Sequence, residues 1–158
     1  MQLDIASYTA RISNASPAQL CVITYEILLE RIDQALVCDA HTSDYHTSIE
    51  KARQALQTLM SSLDMSNEIA QHLFPLYVYA DKLLVDAYFT GESANAQDAR
   101  MIIEPLMLAF LEAETADVPE NDKQAVLKAS QQVYAGLTYK DGKLDEFIDQ
   151  DINRGFKG

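Results

Sequence analysis

The sequence predicts an all-α fold: an antiparallel up-down-up-down four-helix bundle with a short N-terminal arm or helix and an extra C-terminal helix plus tail. Three observations predict it. Between Tyr8 and Glu114 lie four long runs in which apolar residues recur at three- and four-residue spacing. The connections between these runs are short and polar, which favours antiparallel neighbours. Five glycines and four prolines in 158 residues are few for a loop-rich all-β chain.

Met1 to Ser13 is short and only partly amphipathic, through Leu3, Ile5, Tyr8 and Ile12. It reads as a short helix or a mobile arm. The first long helix starts at Ser16-Pro17-Ala18-Gln19, with Ser16 as N-cap, Pro17 at the first helical position and Gln19 completing a capping box. Cys21, Tyr25, Leu28, Ile32 and Ala35 form its core stripe, and the helix is expected to end near Cys38. Leu20, Ile23 and Ile27 widen the apolar arc. A wide arc implies two neighbours, or one neighbour and an exposed binding face.

After the polar link His41–Asp44, a second stripe runs through Tyr45, Ile49, Ala52, Leu56, Leu59 and Leu63. Asp64-Met65-Ser66-Asn67 breaks the pattern and offers caps. The third run places Ile69, Leu73, Leu76, Ala80, Leu83 and Ala87 in register, with Phe74, Tyr77, Tyr79, Val85, Tyr88 and Phe89 off the stripe. So many aromatics beyond the stripe suggest a second buried or partner-facing side. Pro75 inside this run predicts a kink, because it removes a backbone donor and leaves the Gln71 carbonyl unpaired. Gly91 ends the run.

The fourth helix begins within Ser93–Asp98, with Ala99, Ile102, Leu106, Ala109 and Ala113 as its stripe, Ile103 and Phe110 beside it, and Pro105 predicting a second bend. Pro119 opens a fifth run in which Val126, Ala129, Val133 and Leu137 share a face and Gly136 weakens the end. Tyr139-Lys140-Asp141-Gly142-Lys143 reads as a turn, and Leu144–Gly158 as a tail. The domain reading is a bundle over 1–114 and an extension over 115–158, with a helix at about 120–138, packed on or near the bundle. For the extension three readings compete: a fifth helix capping the bundle, a resident pseudo-client in its groove, or a docking arm. Simple aliphatic cover is the plainest of them.

Composition limits the function. Apolar residues make up 48% of the chain, which fits an ordered globular protein. A formal net charge of -12 argues against non-specific nucleic-acid binding and against docking on anionic membranes, and it favours solubility should an apolar groove be exposed. Cys21 and Cys38, 17 residues apart on one helix, are separated by about 25 Å and cannot pair. They read as small core hydrophobes in a reducing compartment. No apolar signal segment precedes the first helix and no run is long enough to span a bilayer, so the chain is read as cytoplasmic.

Catalytic and metal-ligand spacings are missing. None of His41, His46 and His72 has a Glu or Asp three residues before it, as a di-iron bundle requires. His72 is the one helical histidine suited to phosphorelay, against the plainer reading of a polar histidine at a helix boundary. Glu26, Glu30 and Asp33 cluster on one side of the first helix near Arg31. Such a cluster is more often a solvated face than an acid–base pair. Asp145, Glu146, Asp149 and Asp151 alternate with apolar residues but lack the ligand order of a calcium loop. The chain reads as no enzyme, with no cofactor and no metal.

From Asn14 to Leu20 (Asn-Ala-Ser-Pro-Ala-Gln-Leu), with Tyr25 following, the chain resembles the start of the flagellar secretion chaperone family FliS. That family continues with a Leu-Tyr-Asp-Gly segment; here Thr24-Tyr25-Glu26-Ile27 keeps only the tyrosine. The resemblance resumes at Lys51-Ala52, at Leu59–Asp64, at Glu68-Ile69-Ala70, and at Leu73 and Leu76-Tyr77-Val78-Tyr79, with Leu83 and Ala87 in step. Phe110 stands where the family usually has Trp, and Pro75, Pro105 and the residues beyond Ala113 depart from its pattern.

The resemblance implies a cytoplasmic four-helix bundle that binds the C-terminal segment of newly made flagellin. Such a protein prevents premature polymerisation and assists delivery to the export apparatus, without chemistry. The client would be disordered until bound, then helical in an apolar groove. Tyr8, Ile12, Leu20, Ile23, Ile27, Tyr77, Tyr79 and Leu83 are the partner-binding candidates. Tyr8 matches the tyrosine of the family's N-terminal arm, which suggests that Leu3, Ile5, Tyr8 and Ile12 cover the groove in the free protein; an ordinary packed N-terminal helix is the alternative. Export-apparatus components are candidate further partners, and a homodimer stays open. The competing function is a non-catalytic helical adaptor for a different secreted client.

Overall fold

A computed structural model describes the backbone of residues 5–115 and 119–141, and all of it is helix, turn or bend apart from short uncoiled links. Six helices follow one another: α1 (Ile5–Ser13), α2 (Pro17–Leu36), α3 (Ser43–Ser61), α4 (Glu68–Thr90), α5 (Ser93–Thr115) and α6 (Pro119–Asp141). Leu3, the Ile5 side chain and the Leu144–Gly158 tail lie outside the described residues. α6 continues to Asp141, so the first three residues of the turn expected at Tyr139–Lys143 are helical.

Local chemistry sets the boundaries. At the start of α2 the Ser16 hydroxyl accepts from the Gln19 N–H, and the Gln19 side chain accepts from the Ser16 N–H at 2.9 Å. Two of the first-turn donors, which have no partner within the helix, are thereby satisfied. Ser16→Ala is expected to lower stability by about 1 kcal/mol, a fall of roughly 2–4 °C in melting temperature, read by thermal denaturation. Thr42 and Asn67 cap α3 and α4 through their side-chain oxygens. Gly91 ends α4 in the left-handed region at φ 71, and its N–H donates to the Ala87 carbonyl. A β-carbon there would also sit 3.0 Å from the Ala40 β-carbon, where the α2–α3 and α4–α5 links meet.

α2 to α5 close into a ring: α2 packs on α3 and α5, α3 on α4, and α4 on α5. The pairing is antiparallel. Tyr45 at the start of α3 donates to the Ala87 carbonyl near the end of α4 at 2.7 Å, and Arg100 near the start of α5 reaches Asp33 near the end of α2 at 2.8 Å. The core is the stripes brought together, with Leu28, Ile32, Ile49, Leu56, Leu76, Leu84, Ile103 and Leu106 fully buried. α4 and α5 run unbroken through Pro75 and Pro105.

α6 lies against α5 and α4, outside the ring. Val126 joins the core, Ser130 is buried with its hydroxyl donating to the Leu127 carbonyl, and Ala129, Val133 and Leu137 pack against the bundle. α4 therefore meets three helices, α3, α5 and α6, which accounts for its wide apolar arc.

Candidate functional site

α1 folds back along α2. Arg11 pairs with Glu26 at 2.6 Å, its guanidinium lies 5.5 Å from the Tyr8 ring centroid, and Tyr8 hydrogen-bonds to Glu30. With the Asn14–Ser16 link beside Gln19, α1 and α2 form an antiparallel hairpin. Partial burial and the carboxylates of Glu30 and Glu26 push the Tyr8 phenol above its ordinary value. The acidic cluster expected on this helix is thus divided: Glu26 and Glu30 face α1, and Asp33 pairs with Arg100.

The seat of α1 is sparse. Among the described helices it packs on α2 alone. At its C-terminal end a pocket of about 380 Å³ is lined half by polar residues, Arg11, Asn14, Gln19 and Glu26, and half by apolar ones such as Ile23 and Leu111. One oxygen of Glu30 is buried with no hydrogen-bond partner, a condition that costs free energy. Ile12 is 45% exposed and Leu20 and Leu111 about 40%. α2 thus carries a strip of Leu20, Ile23 and Ile27 at three- and four-residue spacing between two grooves, one towards α1 and α5 and one towards α3.

The structure separates the sequence-derived candidates. Tyr8, Ile12, Leu20 and Ile27 are exposed or half-buried at this strip or on the helix above it. Ile23 is buried yet lines the pocket. Tyr77, Tyr79 and Leu83 are not at the surface but belong to the closed core. The reason is local to Tyr77: its hydroxyl is hydrogen-bonded to that of Tyr25, whose ring is packed by Phe110 at 5.4 Å between centroids. Leu108 and Leu111 on α5, both exposed, were not among the candidates. Their positions off the Ala99–Ala113 stripe were the signal that marks them.

Burial pushes both the Tyr25 and Tyr77 phenols above their ordinary value. An unfolded chain ionises these groups near pH 10, while the folded chain holds them neutral. Their contribution to stability is therefore complete below about pH 10 and is lost as pH rises through the folded values. Chemical denaturation between pH 9 and 11 is expected to show stability falling with pH, and Tyr77→Phe to fall less steeply.

No group of side chains suited to a metal ion occurs among the described residues, and no helix among them is long and apolar enough to cross a membrane. His72 is partly exposed, 4.0 Å from Glu68 one turn earlier. The family model described as flagellar protein FliS matches residues 4–117. The chain belongs to the FliS flagellar chaperone family. The match covers α1 to α5 and stops before α6. A search of curated proteins finds no match.

Proposed function

We propose that this chain is a cytoplasmic, non-catalytic export chaperone that binds the disordered C-terminal segment of flagellin. Binding keeps the segment from polymerising early and presents it to the export apparatus. The observation that carries the reading is α1 seated on α2 beside a pocket of mixed polar and apolar lining, next to the partly exposed Leu20 and Ile27 of α2, within a FliS-family bundle. A nine-residue helix is marginal by itself. Its partly exposed Arg11–Glu26 pair contributes at most about 1 kcal/mol, so this pair adds little to the cost of releasing α1.

In this reading the client helix takes Leu20, Ile23, Ile27 and Leu111 as its apolar contacts once α1 moves. Tyr8 and Ile12 hold the lid, and Tyr77, Tyr79 and Leu83 act from the core. The energy gained by covering the strip offsets the cost of ordering the client.

Titration calorimetry of the full chain against the C-terminal segment of flagellin from the same cell tests this. One-to-one binding with a negative heat-capacity change is expected, and removal of Met1–Ser13 should change the affinity. Absence of any complex would turn the reading to an adaptor for another secreted client. Unchanged affinity after the deletion would end the role of α1 as a lid.

A further inference from the structure

Helices α2 to α5 carry five basic side chains, Arg31, Lys51, Arg53, Lys82 and Arg100. Three are in ion pairs: Arg53 with Asp81, Lys82 with Asp86, and Arg100 with Asp33 and Glu104. Arg31 donates to the Gln34 side-chain oxygen at 3.1 Å, and neither it nor Lys51 forms an ion pair among the described residues. Local sequence explains why. The positions one turn from Arg31 are Ile27, Leu28, Gln34 and Ala35, and those one turn from Lys51 are Thr47, Ser48, Gln54 and Ala55. No carboxylate stands at helical pairing distance of either.

The antiparallel packing of α2 on α3 brings these two cations to one groove of about 380 Å³, where Ile27 and Ala55 supply apolar surface and Gln54 and Thr58 polar groups. The chain has 24 acidic and 12 basic residues, so its general field repels an acidic segment. This groove is a place on the bundle where such a segment meets unpaired positive charge over an apolar base. Complementarity of that kind fixes orientation and register more than raw affinity.

We propose that the α2/α3 groove receives a helical part of the client whose flank carries carboxylates, with Arg31 and Lys51 as the charges that set its register. The inference rests on the chaperone reading and adds to it the chemistry of the bound segment.

The test is calorimetry of the full chain with the same flagellin segment, comparing wild type with the pairs Arg31→Glu/Lys51→Glu and Arg31→Gln/Lys51→Gln. Two exposed ion pairs replaced by repulsion correspond to about a tenfold weakening at low ionic strength, and the difference should shrink in roughly 1 M salt. The glutamine pair should shift affinity the same way by a smaller factor, which separates charge from any effect on folding. A flagellin segment with its acidic residues changed to amides should lose its sensitivity to the glutamate pair. If wild type binds and the glutamate pair binds equally well at both salt concentrations, the groove has no such role. If removal of Gly142–Gly158 abolishes the effect of the glutamate pair, the occupant is the chain's own acidic tail and the proposal is overturned. If wild type binds nothing, the chaperone reading fails, and this inference with it.

Discussion

Leu20→Asp combined with Leu111→Asp is expected to weaken binding of the flagellin segment by roughly a hundredfold. Both side chains are about 40% exposed in the free chain, so their replacement leaves the ring of helices intact. Covering the remaining area of two leucines contributes on the order of 1 kcal/mol each. Enclosing two carboxylates against an apolar helix adds a desolvation cost of similar size or more. Together these exceed about 2.7 kcal/mol, the equivalent of a hundredfold in affinity. Circular dichroism and melting temperature should stay near those of wild type while calorimetry loses its heat. An unchanged affinity would place the client somewhere other than the strip between α1, α2 and α5.

Leu76→Ala carries the largest expected effect on stability. Leu76 is fully buried in the ring, between Pro75 and Tyr77 on α4. Removing three carbons from such a site loses their transfer energy and leaves a cavity, for a cost of about 3 kcal/mol. In a chain of this size that is a fall of roughly 6–12 °C in melting temperature. Phe89, on the same helix but 80% exposed, serves as the control: Phe89→Ala should stay within about 0.5 kcal/mol of wild type. A small loss at Leu76 would mean that α4 shifts to refill the space.

Much of the fold was legible in the sequence because the signals are local. Ser16, Pro17 and Gln19 announce the start of α2 through hydrogen bonds within four residues, and Gly91 announces the end of α4 through its own backbone freedom. The four stripes state which face of each helix turns inward. Motifs spread between Tyr8 and Glu114 carried the family resemblance, and the match over residues 4–117 agrees with it.

The candidate site was legible only in part. Leu20 and Tyr77 look alike in the sequence, each an apolar residue beside a core stripe. Tyr77 is closed off because Tyr25 of α2 meets its hydroxyl and because α4 has three helical neighbours. Leu20, in the first turn of α2, stays 39% exposed. Periodicity reports direction from a helix axis, not how many neighbours stand in that direction.

The sequence by itself determined the helices, their caps, the all-α class and the family, since each rests on contacts within a turn or on residues in a set order. Tertiary structure alone decided which apolar residues remain available and which unpaired charges come to share a groove. Arg31 and Lys51 are twenty positions apart in the chain, and only the antiparallel packing of α2 on α3 sets them in one groove. Burial and contacts between helices depend on distances across the fold, and no spacing along a single helix contains them.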